Sequence, residues 1–106
     1  MHKYLFEIRY NAEGVKGVAR EGGSSRRAAA TQAIESLGGK VEAFYFAHGD
    51  VDVYAIVGFA NPIDALATSL TVNQTGVMSV KTVVLIAPEE LDAAAKKTVA
   101  FRPPGA

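Results

Sequence analysis

The chain has no cysteine among its 106 residues. That excludes a disulfide framework, a thiolate catalyst and a zinc–thiolate centre. Nor is there an excess of either charge, since eleven Lys and Arg balance eleven Asp and Glu. Proteins that bind nucleic acid meet the phosphates with a basic surface, and this balance offers none overall. No apolar run approaches the roughly 20 residues that a membrane span needs. Met1-His2-Lys3 leads directly into strand-like sequence, with no signal-peptide pattern. Catalytic and phosphate-binding motifs are also missing: there is no Gly-x-Ser-x-Gly element and no Gly-x-x-x-x-Gly-Lys-Ser/Thr loop. The expectation is a cytoplasmic protein with no nucleic-acid or membrane partner.

What is present is a periodic, moderately apolar chain. Lys3 to Tyr10 alternates, with Tyr4, Phe6, Ile8 and Tyr10 on one face and Lys3, Leu5, Glu7 and Arg9 on the other. Asn11 suits a helix N-cap, and Val15, Val18 and Ala19 share a helical face that Gly22-Gly23 should end or kink. A second helix starts from Ser24 or Ser25 and runs to about Leu37. Its expected buried stripe is Ala30, Ala33, Ile34 and Leu37, with Arg26 and Arg27 facing water. Gly38-Gly39 stops it. Two strands follow, Lys40 to His48 and Val51 to Phe59, joined by a turn at Gly49 and Asp50. Asn61 and Pro62 open a helix whose predicted buried stripe is Ile63, Leu66, Ala67 and Leu70. Val77 to Ile86 is a fourth strand, and Pro88 opens a last short helix.

This βαββαβ order predicts an α+β, ferredoxin-like sandwich with an extra C-terminal helix. One domain over residues 1–100 and a tail over 101–106 are expected. Helices cover one face of such a sheet, yet these strands carry apolar residues on both. The uncovered face should therefore pair with a second copy in a homodimer, or contribute to a higher homo-oligomer.

Several short elements occur together in a recognisable order: Ile8-Arg9-Tyr10 with Ala12-Glu13-Gly14, Leu37-Gly38-Gly39-Lys40 leading to Phe44-Tyr45-Phe46, Gly49-Asp50-Val51-Asp52-Val53, and Asn61-Pro62. From about Lys3 to Leu91 the chain resembles the GYD-domain family, which is similar to the dimeric α+β barrel superfamily. That superfamily includes antibiotic-biosynthesis monooxygenases, haem-binding enzymes and the effector domains of leucine-responsive regulators. In the last group a similar Gly-x-x-Asp hairpin contributes to binding small effectors between subunits. Val51 stands where the family's Tyr would, so a ligand contact through that hydroxyl is not available here.

The hairpin also concentrates the polar chemistry. His48, Asp50 and Asp52 could ligate a divalent cation or exchange protons. A tight turn, with Gly49 allowing the bend and Asp50 bonding to local backbone, explains the same residues and is preferred, so no metal and no cofactor are expected. Asp52 should share a face with Tyr54 and Ile56, which could place its carboxylate near apolar walls or against Arg9. The expected ligand-binding set is Tyr10, Tyr45, His48, Asp52 and Tyr54. The aromatic residues could instead form core and dimer interface. A haem would need His48 as its axial ligand, and oxygenation of a polyphenol would need His48, Asp52 and an open cavity. Gly22 to Arg27 could meet an anion at a helix start, although a solvated cap suffices. RNA-recognition modules share this strand order, but their third-strand signature is absent from Val51 to Phe59. Three functions remain open: a binding module for a small apolar or amphipathic molecule held between the sheet and its helices or at the dimer seam near His48 to Tyr54, a cofactor-free monooxygenase or isomerase using the same cavity, and an assembly protein without a ligand.

Overall fold

The computed structural model describes residues 1–106. In chain order it contains β1 (His2–Tyr10), α1 (Ala12–Glu21), α2 (Gly23–Ser36), β2 (Lys40–Phe46), β3 (Val53–Phe59), α3 (Pro62–Gln74), β4 (Met78–Leu85) and α4 (Pro88–Ala95). The strands form one antiparallel sheet ordered β2-β3-β1-β4. This is the ferredoxin-like α+β arrangement that the strand and helix pattern predicts.

The alternation in β1 decides which face packs. Tyr4, Phe6 and Ile8 are buried, and their register partners Val57, Ala55 and Val53 point the same way from β3. Ile34 of α2 and Ala65 of α3 close over them. Phe59 is fully buried and packs its ring against Tyr4, with centroids 6.2 Å apart. Deleting such a ring typically costs about 3–5 kcal/mol, so the centre of stability lies under α2 and along β3.

Side-chain caps start two of the helices as expected. Asn11 accepts from the Gly14 N–H at 3.0 Å, and its amide donates to the Gly76 carbonyl at 2.7 Å. Asn61 accepts from the Ile63 N–H at 2.9 Å. The start of α2 differs: Gly22 takes the N-cap position with φ 91°, a left-handed conformation suited to Gly, and neither Ser24 nor Ser25 caps it. The reversal between α1 and α2 is thus made by backbone freedom.

The helix faces depart further from expectation. On α3 the strongly apolar stripe Ile63, Leu66 and Leu70 lies outside, while Ala65 is buried and Thr68, Ser69 and Val72 are half-buried against the sheet. Asn73 accounts for this rotation. It shares the face of Ala65 and Ser69, and its side-chain oxygen accepts from the Val80 N–H of β4 at 2.8 Å. Small residues allow the close approach that this tether demands. On α2, Ile34 is buried as expected, but Ala33 and Leu37 are exposed and Arg26 is half-buried. The strands of the hairpin are shorter than the apolar pattern implies, ending at Phe46 and resuming at Val53, because residues 47–52 form a loop that docks on β1. Helix α4 has no buried residue, and with the tail it extends the molecule to 57 Å in its longest dimension.

Gly14 marks the tightest approach of a helix to the sheet. A Cβ there would strike the Val77 carbonyl oxygen and stand 3.0 Å from Tyr10 Cβ. Overpacking of this kind costs about 1–3 kcal/mol, more than the ~1 kcal/mol that Ala gains over Gly within a helix. Gly14→Ala is therefore expected to lower the urea midpoint at unchanged m-value. Equal or greater stability of the variant would contradict the close approach.

Candidate functional site

Two places merit consideration: the loop after β2 and a cleft on the helical side of the sheet. The loop is built by backbone bonds. Ala47 N–H donates to the Asp52 carbonyl at 2.8 Å, and Asp52 N–H donates to the Ile8 carbonyl at 2.9 Å. The Asp52 carboxylate then accepts from the Tyr10 N–H at 2.7 Å. It supplies the acceptor for Tyr10 just beyond the end of β3, and so carries the ladder one step further. Arg9 also holds the loop, but through its Nε–H and the Asp50 carbonyl at 3.1 Å rather than through Asp52. Val51 is buried beneath the loop, a place suited to an aliphatic side chain.

The five residues expected to form a ligand site therefore occupy three locations. Tyr10 and Asp52 meet at the end of β1. Tyr45 and Tyr54 stand directly opposite each other between β2 and β3 on the open sheet face, 71% and 41% exposed. His48 is exposed in the loop. No three His, Asp or Glu side chains are grouped closely enough to share a metal ion.

The cleft lies between α2, α3 and the covered face of the sheet, with a volume of about 210 Å³. Its floor is Phe6, Ile8, Val41, Phe44, Ala55 and Val57, and its walls are Ala29, Ala30 and Ala33 of α2 with Thr68, Thr71, Val72 and Thr75 of α3. Arg26 is the one charged residue in the lining. Each Thr hydroxyl donates to a carbonyl of its own helix, Thr68 to Asp64, Thr71 to Ala67 and Thr75 to Val72, at 2.8–2.9 Å. The walls are consequently less polar than their composition suggests. A more open hollow beneath α1 shares Arg26, Thr75 and Met78 with the cleft and adds Tyr10, Arg20 and Glu21. Burial pushes the Tyr10 phenol above its ordinary value; the neighbouring Arg26 offsets part of that, and Asp52 and Glu21 add to it.

This architecture can be compared with known proteins. The GYD domain family model matches residues 4–95. The chain belongs to the GYD-domain family. No curated protein and no solved structure gives a match. Membership agrees with the likeness carried by Ile8 to Gly14, the Leu37 to Phe46 segment and the hairpin. Within this GYD domain the family's hairpin is a docked structural loop, and the cleft is a separate feature.

A space between the sheet and its helices is one of the two locations expected for a ligand, but that expectation does not single out the residues that line it, although two signals point to them. Thr68, Thr71, Val72 and Thr75 follow i, i+3, i+4, i+7 spacing, as regular a stripe as Ile63, Leu66, Ala67 and Leu70. Ala28-Ala29-Ala30 with Ala33 supplies small side chains opposite it, which leave space where larger ones would fill it.

If Asp52 is structural, its removal affects stability first. Asp52→Ala is expected to destabilise the fold by about 1.5–3 kcal/mol, the range for a lost hydrogen bond to a charged group, whereas Asp52→Asn keeps an acceptor and loses less. Denaturant titration of both variants measures the order, and Asp52→Ala equal to the parent would refute this role.

Proposed function

We propose that this GYD domain is a binding module whose cleft between α2, α3 and the sheet receives a small apolar or amphipathic molecule. The observation supporting this reading is a space of about 210 Å³ bounded almost wholly by apolar atoms. Apolar cavities of about 150 Å³ hold a benzene molecule, so this one suits a body somewhat larger. Proton chemistry finds little support in the lining. Its one charged residue is Arg26, whose guanidinium donates hydrogen bonds and accepts none, so the lining provides no general base. That favours binding over the monooxygenase or isomerase alternative.

The reading includes a homodimer joined through the open sheet face. Leu5, Ile56, Val83 and Leu85 form a half-buried apolar centre there, beside the exposed Tyr45 and Tyr54. Lys3 pairs with Glu42, and Glu7 lies opposite Lys81, so the face also has charges of both signs for a two-fold partner. The outward Ile63, Leu66 and Leu70 stripe on α3 is a second surface through which a higher homo-oligomer could grow.

Naphthalene and octanol, as neutral probes, are expected to raise the Tm of the parent protein. Ala30→Phe, which fills the cleft from α2, should abolish that rise while leaving a cooperative unfolding transition. Absence of any shift in the parent at saturating probe would overturn the binding reading. Separately, light scattering at micromolar concentration should give twice the 11.2 kDa chain mass, and Tyr45→Glu with Tyr54→Glu should give the monomer. A monomeric parent would remove the dimer.

A further inference from the structure

The polarity of the cleft is concentrated at one end, and this narrows the class of its occupant. Resting on the binding reading above, we propose that the ligand is an amphipathic monocarboxylate whose apolar body fills the cleft and whose carboxylate is held by Arg26.

Arg26 lies in the first turns of α2, half-buried, with its side chain 27% exposed. It belongs both to the cleft lining and to the open hollow beneath α1, so the guanidinium stands where the apolar space meets water. Its anionic neighbour is Glu21, whose Oε2 lies 3.7 Å from Nη1. Charge-assisted N–H···O bonds run at about 2.7–2.9 Å, so this pair is loose. The Tyr10 phenol also stands beside the guanidinium as a neutral partner, and an incoming carboxylate competes for the fork with these two weak contacts only. Glu21 lines the hollow and is absent from the cleft. The Thr hydroxyl protons are committed to their own helix, so recognition of a head group falls on Arg26.

Head groups of other charge fit less well. An ammonium would meet the guanidinium with like charge and would have to displace it from Glu21. A hydroxyl would gain a single neutral hydrogen bond. A carboxylate matches the fork in shape and charge, and its exit toward the hollow leaves its outer oxygen hydrated. The apolar walls accept a chain or an aryl ring without polar complement, so the site reads head group and length more strongly than body shape.

Calorimetric titration with octanoate, octanol and octylammonium tests this. Octanoate is expected to bind the parent at least about tenfold more tightly than octanol, the ratio for a hydrogen bond to a charged group, and octylammonium weakest. Arg26→Gln should lower octanoate affinity by about tenfold or more while leaving octanol within about twofold, so octanol reports that the cleft is intact. Glu21→Gln should strengthen octanoate by freeing the guanidinium. Equal binding of octanoate and octanol to the parent, or octanoate binding that survives in Arg26→Gln, would overturn the carboxylate assignment and leave the binding module standing. Tightest binding by octylammonium would overturn it in favour of Glu21 as the anchor. Failure of all three probes, together with neutral probes that give no thermal shift, would remove the binding reading itself.

Discussion

A four-stranded sheet whose packed helices lie on one side has one solvated face and one packed face, and much of this molecule follows from that inequality. β1 meets it by strict alternation: Tyr4, Phe6 and Ile8 go into the core, while Lys3, Leu5, Glu7 and Arg9 go outward, with Leu5 the one apolar residue among them. β3 runs between β2 and β1 and cannot keep its outer face polar to the same degree, so Tyr54 and Ile56 remain outside. Tyr45 faces Tyr54 from the edge strand. An outer surface that mixes aromatic and aliphatic residues with the Lys3–Glu42 ion pair and further charged side chains has a composition like that of an interface core and rim.

The packed face carries the opposite problem, because two helices must cover four strands without filling all the space between them. Ala29, Ala30 and Ala33 on one side and a threonine stripe on the other bring the helix backbones close to the sheet while leaving a gap above Phe6 and Val57. Larger residues were available in the same helix: Ile63, Leu66 and Leu70 would fill that space if α3 turned. The Asn73 bond to Val80 opposes the turn, since rotating α3 would strand a backbone N–H of β4 without its acceptor. The cleft is thus maintained by polar anchoring of a helix whose most hydrophobic face looks away from the core.

This explains how much was legible beforehand. Strand alternation, Gly-rich stops, Asn caps and the order of elements are local signals, and they led to the correct fold and family. The burial of α3 is not local. Two stripes of equal helical regularity compete along it, and apolarity alone selects Ile63, Leu66 and Leu70. The winning stripe depends on Asn73 meeting Val80, seven residues away across a turn. Arg26 was legible only as part of a possible anion contact at a helix start, and its place at the cleft was hidden for a related reason. In sequence it belongs to a polar helix start, and only the reversal at Gly22 sets it between α1, α3 and the sheet.

The hairpin shows how residue chemistry misleads when geometry is unknown. His, Gly and two Asp within five positions suggest a reactive site, yet three of the four have no shared focus. Asp52 uses its N–H, its carbonyl and its carboxylate to bind Ile8, Ala47 and Tyr10, leaving it committed to the sheet at three points. A carboxylate can act as a base when its lone pairs face a substrate, and here one oxygen already faces a backbone donor. Such commitment trades reactivity for register: with Tyr10 fixed by Asp52, and Asn11 fixed by Val77 and Gly76, the end of β1 has one geometry. That geometry seats Gly14 of α1 against the start of β4 and places Tyr10 beside Arg26. The conspicuous acid of the sequence contributes to the cleft from a distance, by holding in place the strand end on which the cleft's one cation leans.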